Sequence, residues 1–485
     1  MKKKTLAVLL TAAMAASVLA GCGSSSSASS SSETAEEEVA EEAAEEANED
    51  AEEVEEAAEA EEEAVEEAAE TDTLVYNYPD LSGTTLTITL TSNAVNAGIQ
   101  EALDNFTEKT GCQFDETIRP SGTEGDNLIK TMLASEELTD IVYYNSGSLF
   151  KALNPTEHFY NLSTIDALAP VIDRYDAAYA STVTVDGNIY GVPMNTCQGG
   201  GILYYRPYYE ELGLEIPTTW AQFVDNCKAL QDAGYTPMIG TGGSGSTWTT
   251  QVLFLASNYS VVAEEPSFAD DFTAGTAKFA TTQAALRSWE HFDDLAGMYN
   301  ADYLAATYDD GCEKLALGEG THYVMLTQCV PTIAGLYPDE IENIGFFAIP
   351  ADDEQYTGLT VWEPDSFYVD KDTEQIEAIT EFLLYCASQD YYDQVINAKG
   401  ATNGPAMLTG ITLPDFVPSA ISVDMQNYFD EGKTLPALEF LTPVKGANCE
   451  QITTELMSGQ STGAEAAQKY DDDCYKSAVQ QGLDW

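Results

Sequence analysis

The chain has 485 residues, with 82 Asp plus Glu against 19 Lys plus Arg, and a formal net charge of −63. Nucleic-acid binding and adhesion to an anionic membrane through a basic face both need a positive footprint, which this composition excludes. A hydrophobic content of 44% over this length predicts two or three folded domains around a real apolar core, because nine Cys are too few for a disulfide-built scaffold.

Lys2, Lys3 and Lys4 precede an apolar run over residues 6–19. That run is too short for a good membrane span and reads as a signal peptide over residues 1–21. Leu19-Ala20-Gly21-Cys22 resembles the bacterial lipobox, in which cleavage precedes a Cys that is then lipidated. Six of the next eight residues are Ser, which fits the start of a mature lipoprotein. The expectation is a chain that begins at Cys22, lies outside the cytoplasm and is held to the bacterial cell membrane by acyl chains. The alternative is an ordinary secretory signal with a chance Cys.

Residues 22–72 form the next region. Between Glu33 and Glu70 there are 20 Glu and one Asp and no Lys or Arg. Such a run repels itself and reads as a solvated, extended spacer. After position 70 there remain 61 acidic and 16 basic side chains, so the folded part carries about −45.

From Thr73 the pattern becomes that of an α/β protein. Leu86 to Leu90 alternates as a strand should. Ile99, Leu103 and Phe106 share one helical face, and Thr110-Gly111 is a stop. Residues 141–144, 189–193 and 201–205 read as extended. Thr219 is placed to cap a helix through Leu230. A short strand at 237–239 leads to a Gly-rich loop and a helix from about Thr249. Strands alternating with helices predict open parallel sheets covered on both faces. No internal repeat of fixed period is present.

Three segments carry a resemblance: Asp186-Gly-Asn-Ile-Tyr-Gly-Val-Pro193, Gly201-Ile-Leu-Tyr-Tyr205 and Leu212-Gly-Leu-Glu-Ile-Pro-Thr-Thr-Trp220-Ala-Gln-Phe223. Together they resemble the signature of extracellular solute-binding proteins of carbohydrate ABC transporters, the maltose-binding-protein-like family 1. Asp140 to Tyr144, Gly345 to Pro350 and Gly459 to Ala467 agree in order, so the resemblance covers roughly residues 80–485. It implies a two-lobed, periplasmic-binding-protein-like α/β fold of class II. Three crossings of the chain would lie near 193–198, 359–366 and 402–408. One lobe would hold residues 73–193 and 366–403, the other 198–360 and 408–485. The ligand would sit between the lobes, outside the carboxyl ends of strands, and closure about the crossings would bury it.

A sugar offers apolar C–H faces to aromatic rings and hydroxyls to amides and carboxylates of fixed direction. Trp248 follows the Gly-rich loop, and Trp362 lies at the second crossing with Glu363 and Asp365. Tyr144 ends a strand and is followed by Asn145. Asn93 and Asn96 follow the first strand, Asn195 and Gln198 lie on the first crossing, and Asn403 lies at the third. Gln328 stands where many members of the resembled family carry Trp, which favours a small sugar or a non-sugar ligand over a long oligosaccharide. Each aromatic also has a packing alternative: Trp248 against its helix, Trp362 within the hinge.

Other motifs read as structure. Gly240-Thr-Gly242-Gly-Ser-Gly245 imitates a dinucleotide fingerprint, but no Lys or Arg occurs from 229 to 277. Gly459-Gln-Ser461-Thr-Gly463 matches a hydrolase elbow, yet it follows a helix rather than a strand, and Thr462 to Glu465 forms a capping box. His158, His291 and His322 lack metal-ligand spacing and read as surface or satisfied histidines. Asp471-Asp-Asp473 reads as a solvated helix face. Eight Cys besides Cys22 permit disulfides without fixing a pairing.

No cofactor, metal or catalytic residue is expected. The leading expectation is a monomeric, non-enzymatic receptor that captures a carbohydrate and delivers it to a membrane permease with a separate ATPase. The alternative keeps that role with a cationic ligand, a polyamine or peptide, drawn by the acidic field. A surface glycoside hydrolase and an adhesive lipoprotein are the remaining classes.

Overall fold

The computed structural model describes residues 76–91, 98–120, 123–483 and 485. Cys22, the spacer, Asn93 and Asn96 lie outside the described residues. The chain divides into two units, Met1–Thr71 and Asp72–Trp485, and the second carries everything that follows.

In chain order the strands are β1 (Thr85–Thr91), β2 (Gln113–Arg119), β3 (Ile141–Tyr144), β4 (Thr184–Val185), β5 (Asn188–Ile189), β6 (Gly191–Pro193) and β7 (Gln198–Tyr205). They continue with β8 (Met238–Ile239), β9 (His322–Leu326), β10 (Ile344–Ala348), β11 (Leu359–Trp362), β12 (Ser366–Val369) and β13 (Thr434–Pro436). One sheet has the order β2-β1-β3-β12-β6. The other has β13-β11-β7-β9-β8, with β10 also paired to β7. The chain steps from one sheet to the other between β6 and β7, through Met194 to Cys197, and again between β11 and β12, through Glu363 to Asp365.

Neither sheet is purely parallel, which corrects the expectation from element order. β1 runs parallel to β2 and β3, but β12 is antiparallel to both β3 and β6. In the second sheet β7 is antiparallel to β9, β10 and β11. Strand–helix alternation implies parallel pairing only when both strands stay in one sheet. β7 and β12 each follow a step between sheets, so their direction is set by that step.

Local chemistry explains the elements. Leu86, Ile88 and Leu90 of β1 are fully buried. The helix Gln100–Thr110 buries Ala102, Leu103 and Phe106 and ends at Gly111, whose φ of +79° suits a residue without Cβ. Thr219 and Gln222 form a capping box for the helix Trp220–Ala233. Thr462 and Glu465 do the same for Gly463–Gln480. The turn after the Gly-rich loop is first a 3-10 turn, Thr247–Gln251, with the α-helix beginning at Val252.

Strand periodicity divides the apolar side chains between two cores. Ile141, Tyr143, Phe367 and Val369 face a core with Leu86, Phe106, Phe382 and Tyr385. Val142, Tyr144 and Tyr368 point the other way, into a cluster that continues through Ile202, Trp220, Phe223, Trp289 and Phe346.

Two local readings are corrected. Asp471 and Asp473 are buried rather than solvated. Asp471 accepts from the amides of Phe279 and Ala280 at 2.9 and 2.8 Å, and Asp473 accepts from the backbone and side-chain nitrogens of Asn448 at 2.7 Å each. These carboxylates satisfy loop amides that no secondary structure reaches. His322 is satisfied by Tyr209 and the Pro237 carbonyl, but His291 is buried with neither ring nitrogen bonded. It stacks on Trp220 at 3.7 Å, and burial pushes its pKa down, so the ring is neutral.

Candidate ligand-binding site

The seam between the sheets collects the carboxyl ends of β1, β2 and β3 and the two connecting segments. On the first-sheet side, the buried Arg119 closes β2. Its guanidinium lies 5.8 Å from the Tyr143 ring centroid and 5.2 Å from that of Tyr144, with Asp126 at 3.9 Å. Tyr143 donates its hydroxyl to Asp365, and Asn145 donates its amide to the same carboxylate at 3.0 Å. Burial pushes the Asp365 pKa up, while Tyr143, Arg119 and Asn145 oppose that rise. Tyr144, Asn145 and Asp365 are therefore brought together, with Tyr143, Arg119 and Asp126 added.

On the second-sheet side, Trp362 pairs in register with Gln198 at the first residue of β7. Thr327 ties to Gly199 through two hydrogen bonds of 2.9 Å, which sets Gln328 next to the same strand end. Gln328 is the N-cap of the helix Cys329–Leu336 and is half-buried. The Trp362 ring lies directly on Gly200, where any Cβ would collide with it. Its indole nitrogen donates to Glu439 at 2.7 Å, and Lys445 holds the other Glu439 oxygen at 2.7 Å. The Glu439 carbonyl accepts from Ser148, beyond β3, at 2.6 Å. Trp362 is thus wedged in the hinge and only half-buried.

Asn195 bonds its own neighbour, the Thr196 amide, at 2.8 Å. The third segment crosses here. Thr402 donates to Thr196 at 2.8 Å, the Cys197 amide donates to Pro405 at 3.1 Å, and Asn403 sits half-buried between them in sequence.

Trp248 is half-buried in the 3-10 turn, tilted against Tyr308 with centroids 5.5 Å apart. Tyr308 begins the helix Tyr308–Ala316 and its hydroxyl meets Thr332 at 3.0 Å. The sequence reading missed Tyr308, and also Arg119 as a seam residue. The capping box at Thr307 is a signal that places Tyr308, whereas nothing in the β2 sequence marks Arg119.

Several buried polar atoms in this seam have no protein partner. They are Arg119 Nε, Ser146 Oγ, Gln198 Oε1 and both oxygens of Glu363. Buried polar groups are normally paired, so a row of unpaired ones calls for water or a polar ligand. Burial, then the nearby Asp176, pushes the Glu363 pKa well above the carboxylate range. Burial thus favours its neutral form, which can donate as well as accept. Several cavities lie apart from these atoms. One of about 600 Å³ is lined by Gly242, Thr247, Leu304 and Asn448, beside the turn that carries Trp248. A second of about 590 Å³ is lined by Tyr204, Phe346 and Asp424, at the far end of β7 from Gln198. Another of about 370 Å³ surrounds His291 and Arg287. Among the described residues no group of His, Cys, Asp and Glu could hold a metal ion, and no helix is long and apolar enough to cross a membrane.

The pattern of the family described as bacterial extracellular solute-binding protein matches residues 91–393, and the chain belongs to that family. Its members bind solutes. The chain is 24% identical over 282 residues to the "Multiple sugar-binding protein" of Streptococcus mutans serotype c, covering 56% of this chain and 64% of that one. It is 21% identical over 302 residues to the "Osmoprotective compounds-binding protein GgtB" of a Synechocystis species, covering 59% of this chain and 68% of that one. The chain thus spans about two thirds of the length of these curated relatives. Among solved structures, apo RafE from Streptococcus pneumoniae superposes with a TM-score of 0.67 at 17% identity, covering 83% of this chain and 100% of that one. RafE has also been solved in complex with raffinose. These likenesses establish the two-lobed solute-binding fold.

Proposed function

We propose that the chain is the extracytoplasmic receptor of an ABC importer for a carbohydrate, a small sugar or short oligosaccharide, and delivers it to a membrane permease with a separate ATPase. The observation that carries this reading is the row of unpaired polar atoms at Arg119, Ser146, Gln198 and Glu363, with the half-buried Trp362 beside Gln198. Amide, hydroxyl, guanidinium and neutral acid are the groups that match sugar hydroxyls in direction. Trp248 is the ring we assign to the sugar's apolar faces, and Asn145, Asp365, Gln328, Asn195 and Asn403 to its hydroxyls. Tyr144, expected to meet the ligand, is fully buried, and it serves the site by carrying Arg119 over its ring. Trp362 serves the site from the hinge. The names of the streptococcal relative and of GgtB support a sugar or an osmoprotective compound.

In this reading residues 1–21 are a signal peptide and Cys22 carries the lipid anchor. Lobes made of 73–193 with 366–403, and of 198–360 with 408–485, close as a monomer on the solute. The role involves binding and release, with no bond made or broken.

The test is calorimetry and thermal shift on the unit from Asp72 onward, with neutral sugars, sugar acids and polyamines as ligands. One neutral sugar series should stabilise it, by about 2.7 kcal/mol at a hundred times Kd. Trp248→Ala should weaken that binding about tenfold or more, the loss of roughly 1.4 kcal/mol of ring contact, with little change in unliganded Tm because the ring is half exposed. Stabilisation by polyamines alone would overturn the sugar and keep the receptor. No response to any of the three classes would count against both.

A further inference from the structure

Eight cysteines of the folded unit are free and buried. Two of them face each other. Cys312 Sγ and Cys329 Sγ stand 3.1 Å apart, and neither residue is exposed to solvent. Non-bonded heavy atoms settle at about 3.5–4 Å, and a disulfide is about 2 Å long. The pair is therefore closer than ordinary packing and about 1 Å short of a bond. Their carriers, Tyr308–Ala316 and Cys329–Leu336, pack side by side. Other thiols have different neighbours: Cys227 meets Met238 Sδ at 3.9 Å and His322 Nδ1 at 3.8 Å, and Cys112 meets the Gln113 carbonyl at 3.7 Å.

We propose that Cys312 and Cys329 form a disulfide that staples these two helices together behind Tyr308. The family is extracellular, where disulfides persist. The oxidant is an external disulfide, small-molecule or protein-borne. One cysteine thiolate attacks it, forming a mixed disulfide and releasing one thiol. The second cysteine attacks the mixed disulfide, forming the Cys312–Cys329 bond and releasing the other thiol. The two cysteines lose two electrons, the external disulfide gains them, and the two protons leave with the released thiols. Burial pushes the Cys329 pKa well up, so thiolate is scarce once the helices have packed. The bond thus forms during folding, and the folded protein resists both its formation and its reduction.

The staple has a structural consequence. Tyr308 already reaches across to Thr332 on the second helix and touches Trp248. Gln328 immediately precedes Cys329. A covalent link at Cys312–Cys329 fixes the spacing of Tyr308 and Gln328, whatever solute the seam holds.

The test refolds the full chain in a buffer of oxidised and reduced glutathione, blocks free thiols in denaturant with iodoacetamide, and maps unreduced peptides by mass spectrometry. The expected result is a peptide pair joined through Cys312 and Cys329. Reduction in denaturant followed by refolding without oxidant should lower Tm by about 5 °C. The same treatment should leave a Cys312→Ser/Cys329→Ser variant unchanged. Recovery of both residues as alkylated thiols, or joined to other cysteines, would overturn the proposal. So would an equal drop in Tm in the double variant.

Discussion

Glu363 is the residue where stability and binding pull apart. Its carboxyl is buried, unpaired and within the field of Asp176, and its pKa is raised. The folded chain holds this proton at pH values where the unfolded chain has lost it. Its native state is therefore favoured at low pH, and stability falls as pH rises upward from the ordinary carboxylate range. Glu363→Gln keeps the shape and removes the titration. In the ligand-free protein it should raise Tm by about 2 °C or more at pH 8, with the gain fading toward pH 4. An equal gain at both pH values would show that Glu363 is not held neutral by burial. Sequence could place Glu363 beside a crossing, because Trp-Glu-Pro-Asp is a conspicuous polar break between two strands. It could not show that the side chain lacks a partner, since that depends on Cys197 and Asp176 arriving from distant segments. Arg119 was illegible for a related reason. Its neighbours Tyr143, Tyr144 and Asp126 come from three elements, and a strand-terminal Arg carries no mark of that gathering.

Among the elements, β7 organises the seam. Its glycines at 199, 200 and 201 leave room for Met425, Trp362 and Phe346 to press on the strand. Gly200→Ala should force Trp362 off its seat and cost about 1–3 kcal/mol in denaturant unfolding. Combined with Trp362→Ala, the cost should be smaller than the sum of the two single changes, because the clash is then gone. Strict additivity would mean that the two residues do not press on each other. Caps and periodicity made most elements readable: the cap at Thr219 and the box at Thr462 were visible as short patterns, and so was the helix stop at Gly111. Strand direction was not, since a hydrophobic pattern reads the same both ways. The Asp471–Asp473 run misled because charge suggests solvent, whereas two of its carboxylates collect loop amides inside the protein.

At the scale of the whole molecule, charge dominates. The unit after position 70 carries about −45, spread over a compact body, and such excess repels itself in the folded state. Screening shortens the reach of that repulsion to about 8 Å at physiological ionic strength and about 3 Å at 1 M. Thermal unfolding should therefore shift upward with NaCl between about 0.01 and 1 M. A downward shift would mean that ion pairs such as Arg206–Asp424 and Arg287–Asp352 outweigh the repulsion. The two-lobed plan itself was legible, because the signature segments occur in order along the chain, and the family match over residues 91–393 agrees with them. Glu439 adds a property of the assembled protein. It grips the Trp362 indole, binds Lys445 and, through its carbonyl, holds Ser148 from beyond β3. Any parting of the lobes that pulls Ser148 away must disturb the same residue that clamps the indole. The hinge thus carries its own optical gauge: with the other four tryptophans replaced, the emission of Trp362 would follow opening and closing without any attached dye.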